Sequence, residues 1–448
     1  MKKRILALIL ALAMVFSSIP VLVSADDTYA VNSNIVGKAS NPLTVKYYNS
    51  DGVKYTSLGD SIAYGFGLDG FTFDKLFMSL DETGGVNYRY GTTLPHSYPS
   101  LIRNYFTSKG GNDNNFKQRA LCIARMDDLC TLIDSEKYPG DDYYIGLVKG
   151  LMLAGVYNSE NMDDAIKADF GGAVEAADFI TVTAGGNNYF GFFVIAEVMG
   201  QSGALKGDLS KYFGESGEEA FSVYKNTILV QAKLLDKLTG KATYEEKVEQ
   251  VFTYLEKFLY TTAAYIKNTP QLLDLIHEKN PDAKVALTGL PDIFGEYDIK
   301  VGSIVIDLES IVVPMISILN NVLKNAAQSR SSYVRYIDIS DVELIAPSDT
   351  SSMPDWDGHT IDSDVLSEFF MANLAISHPS EKGHKQIADR IMENFKFVKE
   401  GTPTINIIGA IKNLWTSILS LSGVTKAKNL LDSLSKINIF GILKLDWK

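Results

Sequence analysis

Cysteine is almost absent from this chain, with two in 448 residues, and histidine is scarce, with five. Two cysteines exclude a disulfide framework, and no Cys/His group has the spacing of a zinc site. Cys122 and Cys130 would sit about 12 Å apart along a continuous helix, so a bridge needs a turn between them; two buried free thiols are the simpler reading. Low-complexity tracts and internal repeats are missing too. With 35 glycines, 13 prolines, 46% hydrophobic and 21% charged residues, the composition is that of a globular chain and excludes the disordered and collagenous classes. Positive charge is in deficit: 42 Lys and Arg against 54 Asp and Glu give a formal net charge of −12. Such a chain repels nucleic-acid backbones and anionic lipid surfaces, which argues against both as partners.

Long hydrophobic runs are also lacking. The apolar stretch from Ile5 to Phe16 falls short of the ~18–20 residues a spanning helix needs. It follows Lys2, Lys3 and Arg4 and precedes Ser17, Ser18, Pro20 and Val23-Ser24-Ala25, the order of a secretory leader with cleavage near Ala25. Removing residues 1–25 takes away three cations and no anion, so the net charge moves from −12 to −15. The expected mature protein is a secreted, extracellular enzyme or binding protein.

What is present is a series of short β-rich segments separated by helical patterns. Val53 to Leu58 ends at Gly59, Gln118 to Cys122 precedes a helical run with Met126, Leu129, Leu132 and Ile133, and Phe179 to Thr183 stops at Gly185-Gly186. Val285 to Thr288 and Val334 to Ile339 complete the set. Helices are expected over Ile306 to Asn325 and Glu381 to Phe397. Strands alternating with helices predict a parallel sheet with helices on both faces.

Residues 26–52 form an N-terminal segment. About 190–280 differs in character. A helix around Phe221 to Leu238 precedes Thr243-Tyr244-Glu245-Glu246, a capping-box pattern opening a run with Val248, Val251, Phe252, Leu255 and Leu259. This reads as an all-helical insertion, a lid or a substrate wall. After Gly401-Thr402-Pro403 an amphipathic tail follows, residues 401–448, with Ile407, Ile408, Ile411, Leu414, Trp415, Ile418 and Leu419 on one side of a helix. It docks on its own domain, on a partner, or peripherally on a membrane.

Three short motifs carry chemistry. Gly59-Asp60-Ser61 closes the first strand, so Ser61 sits at a strand-to-helix turn with its hydroxyl exposed and its N–H at a helix start. Gly185-Gly186-Asn187-Asn188 follows the most apolar strand, placing Asn187 at the carboxyl end of the sheet, where open α/β sheets bind ligands. Ser377-His378-Pro379 precedes the last core helix, where His378 is the candidate general base; His384, one turn later, is expected to pack.

In order and context these motifs resemble the blocks of the SGNH, or GDSL-type, hydrolases, and Arg119 to Leu129 resembles the segment of the second block. The resemblance covers roughly residues 53–398, excluding the insertion. It implies a three-layer α/β/α sandwich with a five-stranded parallel sheet, Ser61 as nucleophile and His378 as base. It also implies an oxyanion hole made of the Ser61 N–H, the Ile123 N–H and the Asn187 side chain, with no metal and no organic cofactor.

Three positions depart from the family pattern. Asn188 stands where an aspartate is usual. Ile123 stands where the second block usually has glycine; its N–H survives, with a changed approach. Ala375 occupies the position, three residues before the histidine, of the acid that normally orients the ring, a role whose loss from a triad costs about 10⁴-fold. A Ser-His dyad oriented by a backbone carbonyl, an acid supplied from elsewhere, and a catalytically idle domain are the three alternatives. Asp355, Asp357, Asp362 and Asp364 lie just upstream but read as solvated surface. The expected function is a secreted serine esterase or lipase acting on a small-molecule, lipid or carbohydrate ester. A polysaccharide O-acetyl esterase using the same residues, or an impaired binding module, are the other readings.

Overall fold

A computed structural model describes residues 29–400, apart from 49, 72–93, 154–156, 158–159, 190–208, 240–243, 294–295, 302–303, 308, 349, 352, 354–355 and 363–372. The leader and the tail expected at 401–448 lie outside the described residues, as does the Thr243 cap.

The centre is a five-stranded, all-parallel sheet. Its strands are β2 (Tyr55–Gly59), β3 (Phe116–Ala120), β4 (Phe179–Thr183), β5 (Lys284–Thr288) and β8 (Val334–Ile337), in the order β3-β2-β4-β5-β8. Helices cover both faces, and this is the three-layer α/β/α sandwich the motifs imply. Because both faces are covered, β2 and β4 are buried at every position, as parallel sheets require.

Alternate residues of β4 face different layers. Phe179, Thr181 and Thr183 look toward α2 (Tyr98–Ser108) and α8 (Glu381–Glu393). On that side the Tyr55 hydroxyl meets Thr181 Oγ1 at 2.9 Å, and the Tyr98 hydroxyl meets Thr183 Oγ1 at 2.6 Å. The opposite face carries α3 (Met126–Ile133), α4 (Met162–Ala176), the second half of α6 (Tyr244–Lys279) and α7 (Glu309–Gln328). There Thr56 Oγ1 donates to the Ala173 carbonyl at 2.9 Å. The remaining helices are α1 (Ser61–Tyr64), which follows β2 directly, and α5 (Ser210–Thr239).

α5 pairs with α6 as a long helical hairpin. The Asp236 carboxylate of α5 accepts the Tyr244 and Glu245 N–H groups at 2.9 and 3.0 Å. That satisfies two of the donors a helix start leaves open. The second half of α6 puts Tyr265, Leu272, Leu273 and Ile276 into the main core.

Three local expectations are corrected. The last core helix ends at Glu393, and Phe395–Lys399 is a strand, β10, paired in parallel with β1 (Leu43–Tyr47). Phe395 and Phe397 continue an apolar spacing that suits either state; their burial against Phe179, at 4.8 and 5.3 Å between ring centres, decides it. Ile306 belongs to a strand, β7 (Ile304–Asp307), which forms an antiparallel hairpin with β6 (Asp298–Val301). β9 (Thr360–Asp362) joins that hairpin in parallel beside β6. Finally, β3 begins at Phe116 and ends at Ala120, which leaves Cys122 in the following turn.

Phe179 joins the helices to the sheet, since Tyr55, Phe395, Phe397 and Phe106 all surround it. Phe179→Ala is expected to lower the free energy of unfolding by about 3–5 kcal/mol, read from urea unfolding of the purified protein. A loss under about 1 kcal/mol would show that this cluster does not carry the core.

Candidate active site

Parallel pairing sets the site. Gly59 of β2 stands opposite Ala120 of β3 and Thr183 of β4, so the loops after all three strands leave the sheet along one row. A Cβ on Gly59 would lie 2.5 Å from the Thr183 carbonyl oxygen and 2.8 Å from Ala63 Cβ, so only glycine lets this turn press against β4. Asp60 caps the next helix by accepting the Ile62 N–H at 3.0 Å. Its carboxyl is 1% exposed, and burial pushes it up to about 7 against the pull of its N–H donors. Ser61 is the first residue of α1, and among the described residues its N–H meets no acceptor.

The Ser61 hydroxyl lies 2.8 Å from His378 Nε2. His378 leaves a 3₁₀ turn, Leu374–Ser377, with its N–H on the Ala375 carbonyl at 2.8 Å. Its own carbonyl accepts the Ile345 N–H at 2.9 Å. The ring rests against Phe66, 4.7 Å between centres. Ser380 caps α8 immediately afterwards through the Gly383 N–H at 3.1 Å. Residues 317 apart are thus held together by a loop anchored on both sides.

Nδ1 lies at the other edge of the ring, and Ala375 offers it no carboxylate. For Nε2 to accept the Ser61 proton, the ring proton must sit on Nδ1. Nδ1 is 3.2 Å from the Ser377 hydroxyl oxygen, which accepts it. Among the described residues no carboxylate pairs with His378. Among the described residues, the groups beside the His378 ring that can orient it are the hydroxyl of the preceding residue, Ser377, and the Ala375 backbone carbonyl. The hydroxyl was overlooked in the sequence because adjacent residues on a chain rarely direct their side chains at each other. Burial pushes His378 down to about 4, and the Ala375 backbone carbonyl acting on the ring offsets this only in part.

Asp357 spends its carboxylate on the His359 and Thr360 N–H groups at 2.9 and 2.7 Å, which holds it down to about 2. It is exposed, and Asp362 lies in β9; Asp355 and Asp364 fall outside the described residues. His384 is buried with Nδ1 accepting the Tyr98 N–H at 3.2 Å, the packing role expected of it. Cys122 and Cys130 are free and buried, and burial pushes both thiols up, away from thiolate chemistry.

The loops after β3 and β4 meet beside Ser61. A Cβ on Gly185 would lie 2.4 Å from Tyr265 Cε2, so the double glycine admits α6 against the end of β4. Asn187 Nδ2 donates one hydrogen to the Ala124 carbonyl at 3.0 Å, which leaves its second amide hydrogen for a ligand. Asn188 is fully buried. Its Oδ1 accepts the Met126 N–H at 3.0 Å and its Nδ2 donates to Asp127 Oδ1 at 3.1 Å. An aspartate could not make the second bond, which accounts for the amide at this position. Ile123 has φ +65°, the left-handed backbone of a glycine carried by a β-branched residue. Its N–H meets no acceptor among the described residues.

Asp127, Asp128 and Asp141 bring three carboxylates within reach of one cation. The cation is already in place: the Arg125 guanidinium, 3% exposed, lies 3.0, 2.9 and 2.7 Å from them. Burial pushes the Asp128 carboxyl up.

No protein-family model matches the chain, and no curated protein sequence matches it. Solved structures similar to it include an extracellular lipase from Streptomyces rimosus at 15% identity and TM-score 0.34, covering 75% of this chain and 97% of that one. A phospholipase A1 from Streptomyces albidoflavus NA297 is 12% identical with TM-score 0.34, covering 76% and 98%. An acetylxylan esterase, Axe2, from Geobacillus stearothermophilus is 11% identical with TM-score 0.31, covering 79% and 100%.

Ser377→Ala removes the hydroxyl beside Nδ1 and is expected to lower kcat for ester hydrolysis about tenfold with KM nearly unchanged, less than the loss of a charged orienter. Since His378 must be neutral to accept a proton, activity should persist below the usual histidine range and fall as pH drops through about 4. An acid limb near 6.5 in kcat/KM would contradict the burial of this ring. The ordered blocks that resemble those of the SGNH hydrolases thus meet at the carboxyl end of a five-stranded parallel sheet.

Proposed function

We propose that the protein is a serine ester hydrolase working through an acyl-enzyme on Ser61. The observation that carries this reading is the 2.8 Å contact between Ser61 Oγ and His378 Nε2 at the carboxyl edge of the sheet. His378 takes the Ser61 proton as the hydroxyl attacks the ester carbonyl, and returns it to the departing alcohol; water then repeats the sequence to release the acid. Negative charge on the tetrahedral intermediate faces the Ser61 and Ile123 N–H groups and the second Asn187 amide hydrogen. Chemistry of this kind uses no metal or organic cofactor. The Ser377 hydroxyl fixes the tautomer of His378 without neutralising the imidazolium, so the chemical step should be slower than in a full triad. Export is part of the proposal and rests on the sequence of residues 1–25.

Two ester classes fit the same residues: acyl chains of lipid-like substrates, and acetyl groups on polysaccharides. Comparing p-nitrophenyl octanoate with p-nitrophenyl acetate separates them, a preference for octanoate supporting the lipase reading and for acetate the carbohydrate one. Ala375 and the low affinity of His378 for a proton support the second reading, an SGNH-type module that binds without turning over. Fluorophosphonate labelling decides between them. The wild-type protein should label, while Ser61→Ala should not and His378→Ala should label at least a hundredfold more slowly. Absence of Ser61-dependent labelling would leave binding alone.

A further inference from the structure

Ile123 is held in a backbone conformation its side chain disfavours, at φ +65°. For a β-branched residue this region is an outlier and persists only where surrounding contacts over-determine it. Those contacts are identifiable. Upstream, the Leu121 N–H donates to the Gly59 carbonyl at 2.9 Å. Downstream, the Ala124 carbonyl accepts from Asn187 at 3.0 Å, and the Arg125 N–H donates to Asp128 Oδ2 at 2.7 Å. At Ile123 itself, the carbonyl accepts the Tyr143 hydroxyl at 2.8 Å.

Tyr143 is in turn fixed from below. The Arg125 guanidinium lies 4.0 Å from the centre of its ring, and three carboxylates hold that guanidinium. One of them, Asp141, also accepts the Tyr144 N–H at 3.0 Å, which anchors the backbone that carries Tyr143. We propose that Tyr143 is a positioning residue for the oxyanion hole: its hydroxyl, braced on the buried Arg125 cluster, holds the Ile123 turn in the left-handed conformation that keeps the Ile123 N–H turned away from acceptors and toward the substrate oxyanion. This rests on the reading of the protein as an ester hydrolase. It supplies what a glycine would supply by its own freedom, since glycine occupies this region without strain, and it explains how an isoleucine stands at that position.

Tyr143→Phe removes one oxygen and leaves the ring under Arg125, so the cluster stays intact. With p-nitrophenyl acetate as substrate, kcat is expected to fall about tenfold, a fraction of the ~10²–10³ that loss of a whole oxyanion donor costs, with KM within about twofold. In the Ile123→Gly background the same removal should cost less than about threefold, because the turn no longer needs the clamp. A merely structural tyrosine would lower stability equally in both backgrounds and leave kcat per labelled Ser61 unchanged. Unchanged kcat in Tyr143→Phe, a change confined to KM, or equal losses in the two backgrounds overturns the proposal. If the wild-type protein neither hydrolyses the ester nor labels at Ser61, the ester hydrolase reading has failed and the clamp falls with it; a wild type that labels and turns over isolates the failure to Tyr143.

Discussion

The hydrogen-bond register of three parallel strands governs the rest of this structure. Because Gly59, Ala120 and Thr183 stand side by side, the loops that begin after them share one origin, and every group assembled around Ser61 descends from that row or is tied to it. A slip of one residue in either pairing would turn the inward residues outward and separate the loops. The register is protected on one face by Tyr55, Tyr98 and the threonine hydroxyls of β4 and on the other by Thr56 against α4. These bonds satisfy polar groups that would otherwise be costly to bury.

Above that row, the site combines rigidity with local cost. Asp60 is a buried carboxyl, His378 is a buried imidazole whose charged form burial disfavours, and Ile123 carries about 1–2 kcal/mol of left-handed backbone strain. Each is offset nearby: Asp60 by the N–H groups of α1, His378 by Ser377 and Phe66, Ile123 by Tyr143 and the Arg125 cluster. Breaking the buried cluster by removing a single partner would leave a charge uncompensated, which costs several kcal/mol. The cluster therefore ties the stability of the domain to the geometry of the loop after β3.

Much of the frame was legible in the chain. Buried strands announced themselves through β-branched runs closed by glycine, and the polar residues just beyond them, Ser61 and Asn187, gained meaning from that position. His378 was legible because Pro379 and a capped helix follow it. The pairing of β1 with β10 was not, since it joins residues about 350 apart whose apolar spacing also fits a helix. Ser377 was hidden by adjacency, and Tyr143 by distance along the chain from the isoleucine it holds. Asn188 looked like a lost charge, and only its two buried bonds show why an amide stands there.

The central claim is that Ser61 becomes covalently acylated during turnover. Rapid acid quenching of the protein mixed with excess p-nitrophenyl acetate, followed by peptide mass mapping, tests it directly. One acetyl group per molecule is expected on the peptide containing Ser61, formed within the first turnover and absent when Ser61 is replaced by alanine. Steady hydrolysis with no acyl group on that peptide, or acetylation that persists in the alanine variant, would contradict it.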